Sequence, residues 1–198
     1  GTSLRGVFQP RNCLTAAASM AILADDHSIA EGIRLSRWPG RFEVIRETAP
    51  LTITDGAHNI QGALALRGSI EAFLPGRDIV FLCGVMSDKD YKAMLSAVLF
   101  SDMYRITGVV CTRPDNTRAL GSEDLAFAVS EVLDNSSRSG YNKSVKVLHS
   151  EETAEAVRIA LDLAAENDSV MVAFGSLYMA GTVRRSVFAY GHDQTGVL

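Results

Sequence analysis

The sequence lacks long hydrophobic runs, charge runs and paired cysteines, and each absence narrows the class of protein. No apolar run in its 198 residues is long enough to cross a bilayer, and the first residues lack the layout of a secretion signal. A formal net charge of −4, with charges of both signs interspersed, argues against a nucleic-acid or membrane surface. Cys13, Cys83 and Cys111 are far apart, and we interpret them as thiols of a cytoplasmic protein rather than a disulfide or metal set.

The signatures of several enzyme classes are also absent. The sequence has no Ser-His-Asp order, no Cys-His pair, no zinc-ligand spacing and no G-x-x-x-x-G-K-S/T loop. What it does have is a hydrophobic fraction of 47%, which is enough to form a sizeable core.

Strand and helix patterns alternate along most of the chain. Apolar runs predict strands at residues 42–47, 51–54, 79–85, 104–112, 145–148 and 169–174. Helical spacing predicts helices at residues 12–24, 59–74 and 151–166. Two more helices are predicted to begin after the candidate N-caps Asp88 and Ser122, and a last one begins at Leu177. The alternation predicts a Rossmann-like α/β fold, in which a mostly parallel sheet carries helices on both faces.

The first 35 residues do not fit this alternation, because they have helical patterns but no strand. We expect residues 1–35 to close another domain, residues 36–40 to form a linker, and residues 41–190 to form the α/β domain. A surface loop is expected at 134–143 and a polar tail at 191–198. The chain is therefore interpreted as part of a longer protein.

Two motifs near the start of the α/β domain are candidates for a binding site. They are Trp-Pro-Gly-Arg-Phe at residues 38–42 and Asp-Gly-Ala-His-Asn at residues 55–59. A stiff Pro-Gly turn presents Arg41, whose guanidinium suits a phosphate; the alternative is a surface arginine paired with Glu43 or Glu47. Asp55 follows a strand, and its carboxylate can accept hydrogen bonds from ribose hydroxyls or hold a cation. The alternative is that Asp55 only builds a turn.

Other polar residues also follow predicted strands, where open α/β sheets bind ligands. Lys89 can meet a phosphate or a carboxylate, and Ser176, at a helix start, can bind a carboxylate. His58 can polarise a substrate group or donate a hydrogen bond. The alternatives are ordinary first-turn charge for Lys89, a strand-to-helix turn for Ser176, and a solvated loop histidine for His58.

Six segments of the chain, taken in order, resemble those of folylpolyglutamate synthases of the Mur ligase superfamily, including the form that is also dihydrofolate synthase. They lie at residues 6–12, 39–41, 55–59, 84–90, 118–119 and 175–178. Their order and spacing are specific, although each alone is weak. The chain departs from the pattern at Phe8, where many members have His, and at Cys13, where Ala is usual.

The resemblance implies a function for the chain and roles for its residues. It implies the Mur ligase C-terminal domain of an ATP- and Mg²⁺-dependent ligase, which adds L-glutamate to folate or dihydropteroate through an acyl phosphate. Asn12, Arg41 and Asp55 would contact ATP, with Asp55 at the ribose and Arg41 at the phosphates. His58, the candidate catalytic residue, and Ser176 would place the glutamate.

The resemblance also implies a domain arrangement. The P-loop and most Mg²⁺ ligands would belong to an N-terminal ATPase domain whose last helices are residues 1–35, with residues 36–40 as the hinge. A cytoplasmic monomer is implied, inactive as this chain alone. Two alternatives stay open: a Mur-type amide ligase acting on a cell-wall precursor, and a non-catalytic Rossmann-like module that binds a nucleotide or an amino acid.

Overall fold

The computed structural model describes residues 4–135 and 145–193. Its helices are α1 (Gln9–Met20), α2 (Asp26–Leu35), α3 (Ile60–Phe73), α4 (Tyr91–Leu99), α5 (Ser122–Asp134), α6 (Thr153–Glu166) and α7 (Leu177–Asp193). Its strands are β1 (Glu43–Arg46), β2 (Thr52–Thr54), β3 (Asp78–Cys83), β4 (Arg105–Thr112), β5 (Lys146–Ser150) and β6 (Val170–Phe174). None of the described helices is both long and apolar enough to cross a membrane.

The six strands form one sheet in the order β1-β2-β6-β3-β4-β5. β1 is antiparallel to β2, and the other neighbours are parallel. Because β6 inserts between β2 and β3, the carboxyl ends of these three strands are adjacent. The predicted Rossmann-like α/β fold with a mostly parallel sheet is therefore confirmed.

The core lies on both faces of the sheet. Along β3, Ile79, Phe81 and Cys83 point into the cluster that includes residues of α3, α4 and α5, whereas Val80 and Leu82 point into the cluster with α6 and α7. Burial on both faces explains why β3 is a continuous apolar run instead of an alternating one. Helices on both faces are thus confirmed as well.

The structure corrects two predicted helix caps. Asp90, not Asp88, caps α4, since its side chain accepts a hydrogen bond from the Ala93 N–H. Ser122 is the first residue of α5 instead of its cap, and its own N–H and Oγ–H both donate to Glu151 Oε1, at 2.7 and 2.9 Å. The partner of α5 comes from the turn before α6, so local sequence spacing does not reveal it.

Three further predictions from the sequence concern where segments begin and end. The helix predicted at 12–24 begins at Gln9 and ends at Met20. α7 extends through Asp193, so the predicted tail at 191–198 begins as helix, and residues 194–198 lie outside the described residues. Most of the predicted surface loop at 134–143 also lies outside them.

Apolar side chains of the N-terminal helical region are exposed. Leu14 on α1 is 71% exposed, and Ile22, just after α1, is 91% exposed. Both belong to the apolar positions whose helical spacing predicts the helix at 12–24. Nothing within residues 4–135 and 145–193 buries these two side chains.

Candidate functional site

Two cavities open near the carboxyl ends of the central strands. Asp55 directly follows β2, and the Gly175-Ser176 turn directly follows β6. Lys89 lies on the connection between β3 and α4. This is the edge where open parallel sheets bind ligands, and the strand order brings the connections together there.

The first cavity, called here the helix-side cavity, has a volume of about 430 Å³. Asn12, Arg41 and Asp55, the three residues that the resemblance assigns to ATP, all line it. Its wall is mostly apolar and includes Phe8 and Trp38. Sequence reasoning did not assign these two aromatic residues a role in a cavity, although both lie inside motifs that it identified.

Asp55 both lines the helix-side cavity and builds the turn after β2. Its side chain is buried, and its two oxygens accept backbone hydrogen bonds from Phe42 and Ala57, both at 2.8 Å. Burial raises the pKa of the Asp55 carboxyl, while these hydrogen bonds and the charges of Arg41 and His58 oppose the increase. The turn-building alternative is therefore seen in the structure together with access to the cavity.

The turn that carries Arg41 has an unusual backbone. Gly40 has φ +72° and Phe42 has φ +45°. A positive φ at a bulky residue costs about 1–3 kcal/mol and persists only where the surroundings enforce it. The Gly56 N–H supports the turn by donating to the Gly40 carbonyl at 2.7 Å.

Arg41 forms neither of the two ion pairs, with Glu43 or with Glu47, that the sequence suggested as alternatives. Glu43 pairs with Arg184, and Glu47 lies 3.7 Å from Arg5. Within the described part of the chain, Arg41 forms no ion pair or hydrogen bond. Its guanidinium is therefore available to a ligand in the helix-side cavity.

The second cavity, called here the strand-end cavity, has a volume of about 460 Å³. His58 and Ser176, the two residues that the resemblance assigns to glutamate, both line it. Lys89 lines it too, and so does Arg118, which the sequence marked only as part of a family motif. The signal that marked it was its place in the Arg-Ala pair at residues 118–119 before α5.

The polar groups of the strand-end cavity have defined orientations. His58 Nδ1 lies 2.7 Å from the Gly56 carbonyl oxygen, which can only accept, so Nδ1 donates this hydrogen bond and Nε2 can accept one when the ring is neutral. Ser176 Oγ accepts the Tyr178 N–H at 3.1 Å and keeps its own proton for another acceptor. The arrangement can therefore meet both acceptor and donor groups of a ligand.

Two cations at the strand-end cavity share one carboxylate. Asp88 Oδ2 lies 3.0 Å from Arg118 Nη1 and 3.9 Å from Lys89 Nζ. One carboxylate balances only one of the two positive charges. The strand-end cavity is therefore suited to an anionic ligand.

Gly56 connects the two cavities. Its N–H donates to Gly40 on the side of Arg41, and its carbonyl accepts from His58 on the other side. A Cβ at Gly56 would lie 2.2 Å from Leu177 Cδ2, so a side chain there would force Leu177 to move. The two backbone hydrogen bonds of Gly56 link the residues of the two cavities.

The described residues do not fit a metal centre. Across residues 4–135 and 145–193, no group of three or more His, Cys, Asp or Glu side chains could hold a metal ion.

Known proteins are similar to this chain over most of its length. The family model described as "Mur ligase, glutamate ligase domain" matches residues 40–177. Folylpolyglutamate synthase of Lacticaseibacillus casei is 28% identical over 195 residues, which cover 93% of this chain and 39% of that protein. Dihydrofolate synthase/folylpolyglutamate synthase of Mycobacterium tuberculosis is 31% identical over 171 residues, which cover 81% of this chain and 31% of that protein.

A solved structure shares the fold. Mycobacterium tuberculosis folylpolyglutamate synthase, in crystals complexed with ADP and AMPPCP, matches with a TM-score of 0.77 and 30% sequence identity over 93% of this chain and 41% of that chain. The fold is that of a Rossmann-like α/β domain with two cavities near the carboxyl ends of its central strands. The chain belongs to the Mur ligase family and carries its glutamate ligase domain. It spans less than half the length of these relatives.

Proposed function

We propose that this chain is the C-terminal part of an ATP-dependent ligase that adds L-glutamate to folate or dihydropteroate. The observation that carries the proposal is that residues 55–59 supply one residue to each cavity: Asp55 to the helix-side cavity and His58 to the strand-end cavity. A ligase of this kind must hold a nucleotide and an amino acid close together, and a single short segment between two cavities provides that proximity.

The helix-side cavity is the proposed ATP site. Its volume lies within the range of roughly 300–1,000 Å³ that is usual for ligand sites, and its apolar wall suits a purine base. Arg41 would reach the phosphates, Asp55 would contact the ribose, and Asn12 would add a polar contact. The ADP and AMPPCP complexes of the Mycobacterium tuberculosis relative support nucleotide binding by the intact protein.

The strand-end cavity is the proposed glutamate site. Glutamate has two carboxylates, and Lys89 and Arg118 supply cations for them. The Ser176 hydroxyl can donate to a carboxylate oxygen. His58 Nε2 can accept a hydrogen bond from the substrate ammonium group, which must lose a proton before it attacks.

The proposed chemistry follows from the weakness of a carboxylate as an electrophile. Transfer of the γ-phosphoryl group of ATP to the acceptor's carboxylate gives an acyl phosphate with a good leaving group. The glutamate amine then attacks the carbonyl carbon, a C–N bond forms, and the C–O bond to phosphate breaks. Positioning and charge stabilisation would supply most of the rate enhancement.

The proposed enzyme includes a second domain. Residues 1–35 would be the last helices of an N-terminal P-loop ATPase domain that supplies the Mg²⁺ ligands, residues 36–40 would be the hinge, and residues 41–190 would be the C-terminal domain. The exposed apolar side chains of Leu14 and Ile22 support this division, because a further domain would bury them. We propose a cytoplasmic monomer, as the family resemblance implies.

The test uses the full-length protein with MgATP, glutamate and either dihydropteroate or tetrahydrofolate, with products measured by mass spectrometry. We expect an ATP-dependent mass increase of one glutamate residue on at least one acceptor. His58→Ala should lower kcat by about a hundredfold, a typical contribution of a proton-handling residue. His149→Ala, which removes an exposed histidine on β5 outside both cavities, is the control and should leave kcat unchanged.

A different result would favour one of the alternatives. Product only with a nucleotide-sugar peptide as acceptor would indicate a Mur-type ligase of cell-wall synthesis. ATP binding without product from any acceptor would indicate a binding module.

A further inference from the structure

The backbone around Arg41 is held in a conformation that its own residues do not favour. Gly40 and Phe42 flank Arg41, and both have positive φ. Phe42 lacks the conformational freedom of glycine, so the surrounding structure must enforce its left-handed backbone. The Phe42 ring contributes to this, because it is 2% exposed and its centroid lies 5.6 Å from that of Phe73.

The other restraint on Phe42 is the Asp55 carboxylate. Asp55 Oδ2 accepts the Phe42 N–H, while Oδ1 accepts the Ala57 N–H at the same distance of 2.8 Å. The side chain therefore ties the Arg41 turn to the end of β2, across 13 positions of sequence. A hydrogen bond to an ionised acceptor in a buried setting is stronger than one between neutral groups.

We infer that Asp55 is a positioning residue, which fixes the turn so that Arg41 points at the phosphates of the nucleotide. This inference rests on the proposed ATP site and adds a role to Asp55 that is separate from a ribose contact. The guanidinium needs such a support, because no ion pair or hydrogen bond from the described residues orients it. Asp55 thus acts on the phosphates through the backbone of Phe42.

The two roles of Asp55 predict different ligand dependence. In the full-length protein, the affinities for ATP and for adenosine are measured by calorimetry. Asp55→Ala should weaken ATP by about tenfold more than it weakens adenosine, an additional loss of roughly 1.4 kcal/mol. A ribose contact alone predicts equal losses for both ligands, since both carry the same ribose. Equal losses, or unchanged ATP affinity, would overturn the inference.

The coupling between Asp55 and Arg41 is a second readout. Arg41→Ala should also weaken ATP selectively, and the ATP loss in excess of the adenosine loss should be no greater in the double variant than in Arg41→Ala alone. Additive losses would show that Asp55 acts independently of Arg41. Asp115→Ala, which removes an exposed carboxylate on the loop after β4, is the matched control and should change neither affinity.

A third measurement does not depend on nucleotide binding. Hydrogen exchange of the Phe42 amide should be slow in the wild-type protein and fast in Asp55→Ala, because the acceptor is lost. Unchanged exchange in the variant would overturn the inference, because Asp55 would then not hold the Phe42 amide. Absence of ATP binding by the wild-type protein, with the exchange difference present, would overturn the proposed function and leave the Asp55–Phe42 contact supported.

A second variant covers the case in which Asp55→Ala does not fold. Gly40→Ala strains the same turn from its other side, because Gly40 has φ +72° and a Cβ there would lie 3.3 Å from Leu177 Cδ2. It leaves every carboxylate in place. It should again weaken ATP by about tenfold while sparing adenosine. Equal losses for the two ligands would contradict the inference.

Discussion

At the scale of single residues, a side chain can satisfy two interpretations that the sequence presents as alternatives. Asp55 builds a turn through Phe42 and Ala57, and it also lines the helix-side cavity. Asn59, in the same segment, caps α3, since its side-chain oxygen accepts a hydrogen bond from the Gly62 N–H at 2.8 Å. A residue that only lined a cavity would be free to move, so the turn-building contacts of Asp55 are what give the site its geometry.

Cys13 offers a test of the helix-side cavity by chemical modification. Cys13 lines that cavity, whereas Cys83 and Cys111 are fully buried. In the full-length protein, a disulfide reagent should label Cys13 before Cys83 and Cys111. Saturating ATP should slow the labelling of Cys13 by about tenfold, because a nucleotide bound in the helix-side cavity would cover the cavity wall that includes Cys13. Labelling is followed by absorbance and peptide mass spectrometry.

The other two cysteines serve as the internal comparison. A hydrogen bond with Cys111, whose sulfur lies 3.7 Å away, and burial both raise the pKa of the Cys83 thiol. A thiol reacts through its thiolate, so Cys83 should react only after unfolding. An ATP-independent labelling rate at Cys13 would argue against nucleotide in the helix-side cavity.

At the scale of elements, sequence spacing located the helices better than the contacts that begin them. Apolar periodicity predicted α3 to α6, but it assigned the cap of α4 to Asp88 instead of Asp90. Both residues are acidic and precede the helix, so the choice depends on turn geometry that spacing does not encode. The start of α5 depends on Glu151, which no local pattern links to Ser122.

The Glu151 contact predicts a pH-dependent contribution to stability. Glu151→Gln should lower the free energy of unfolding at pH 7 by about 0.5–1 kcal/mol, the lower part of the range for helix caps, because the carboxylate is half exposed. Hydrogen bonds from the Ser122 N–H and hydroxyl lower the pKa of Glu151 in the folded protein. Urea unfolding at several pH values measures the difference.

The direction of the pH dependence follows from that lowered pKa. The contribution of Glu151 is present above the pKa of the unfolded chain and is lost as the pH falls through the folded value. The wild-type protein and Glu151→Gln should therefore converge in stability at acid pH. A difference that stays constant into the acid range would exclude the charged cap. Glu152→Gln, one position along, serves as the control.

At the scale of the whole molecule, alternation of strands and helices predicted the fold but not the strand order. Nothing in the sequence pattern places β6 between β2 and β3, because that position depends on α6 and α7 packing on the face opposite α3 to α5. This insertion brings Ser176 beside the segment that carries His58. The motifs therefore identified the candidate residues, whereas their division between two cavities required the three-dimensional structure.

The exposed apolar face of the N-terminal region gives a prediction about the intact protein. Leu14→Lys should lower the free energy of unfolding of the full-length protein by about 2 kcal/mol, if a further domain buries this side chain. In the 198-residue chain alone, the same change should cost less than about 0.5 kcal/mol, because Leu14 is 71% exposed there. Denaturant unfolding of both proteins measures the two values.

Phe127 provides the matched control for that comparison. It is 68% exposed on α5, inside the predicted C-terminal domain, so Phe127→Lys should have a small effect in both proteins. An equal cost of Leu14→Lys in the two proteins would contradict the assignment of residues 1–35 to a preceding domain. A larger cost in the full-length protein would instead show that these helices pack against that domain. If the proposed function holds, the catalytic centre includes residues of both domains, and the isolated chain should fold without turning over ATP.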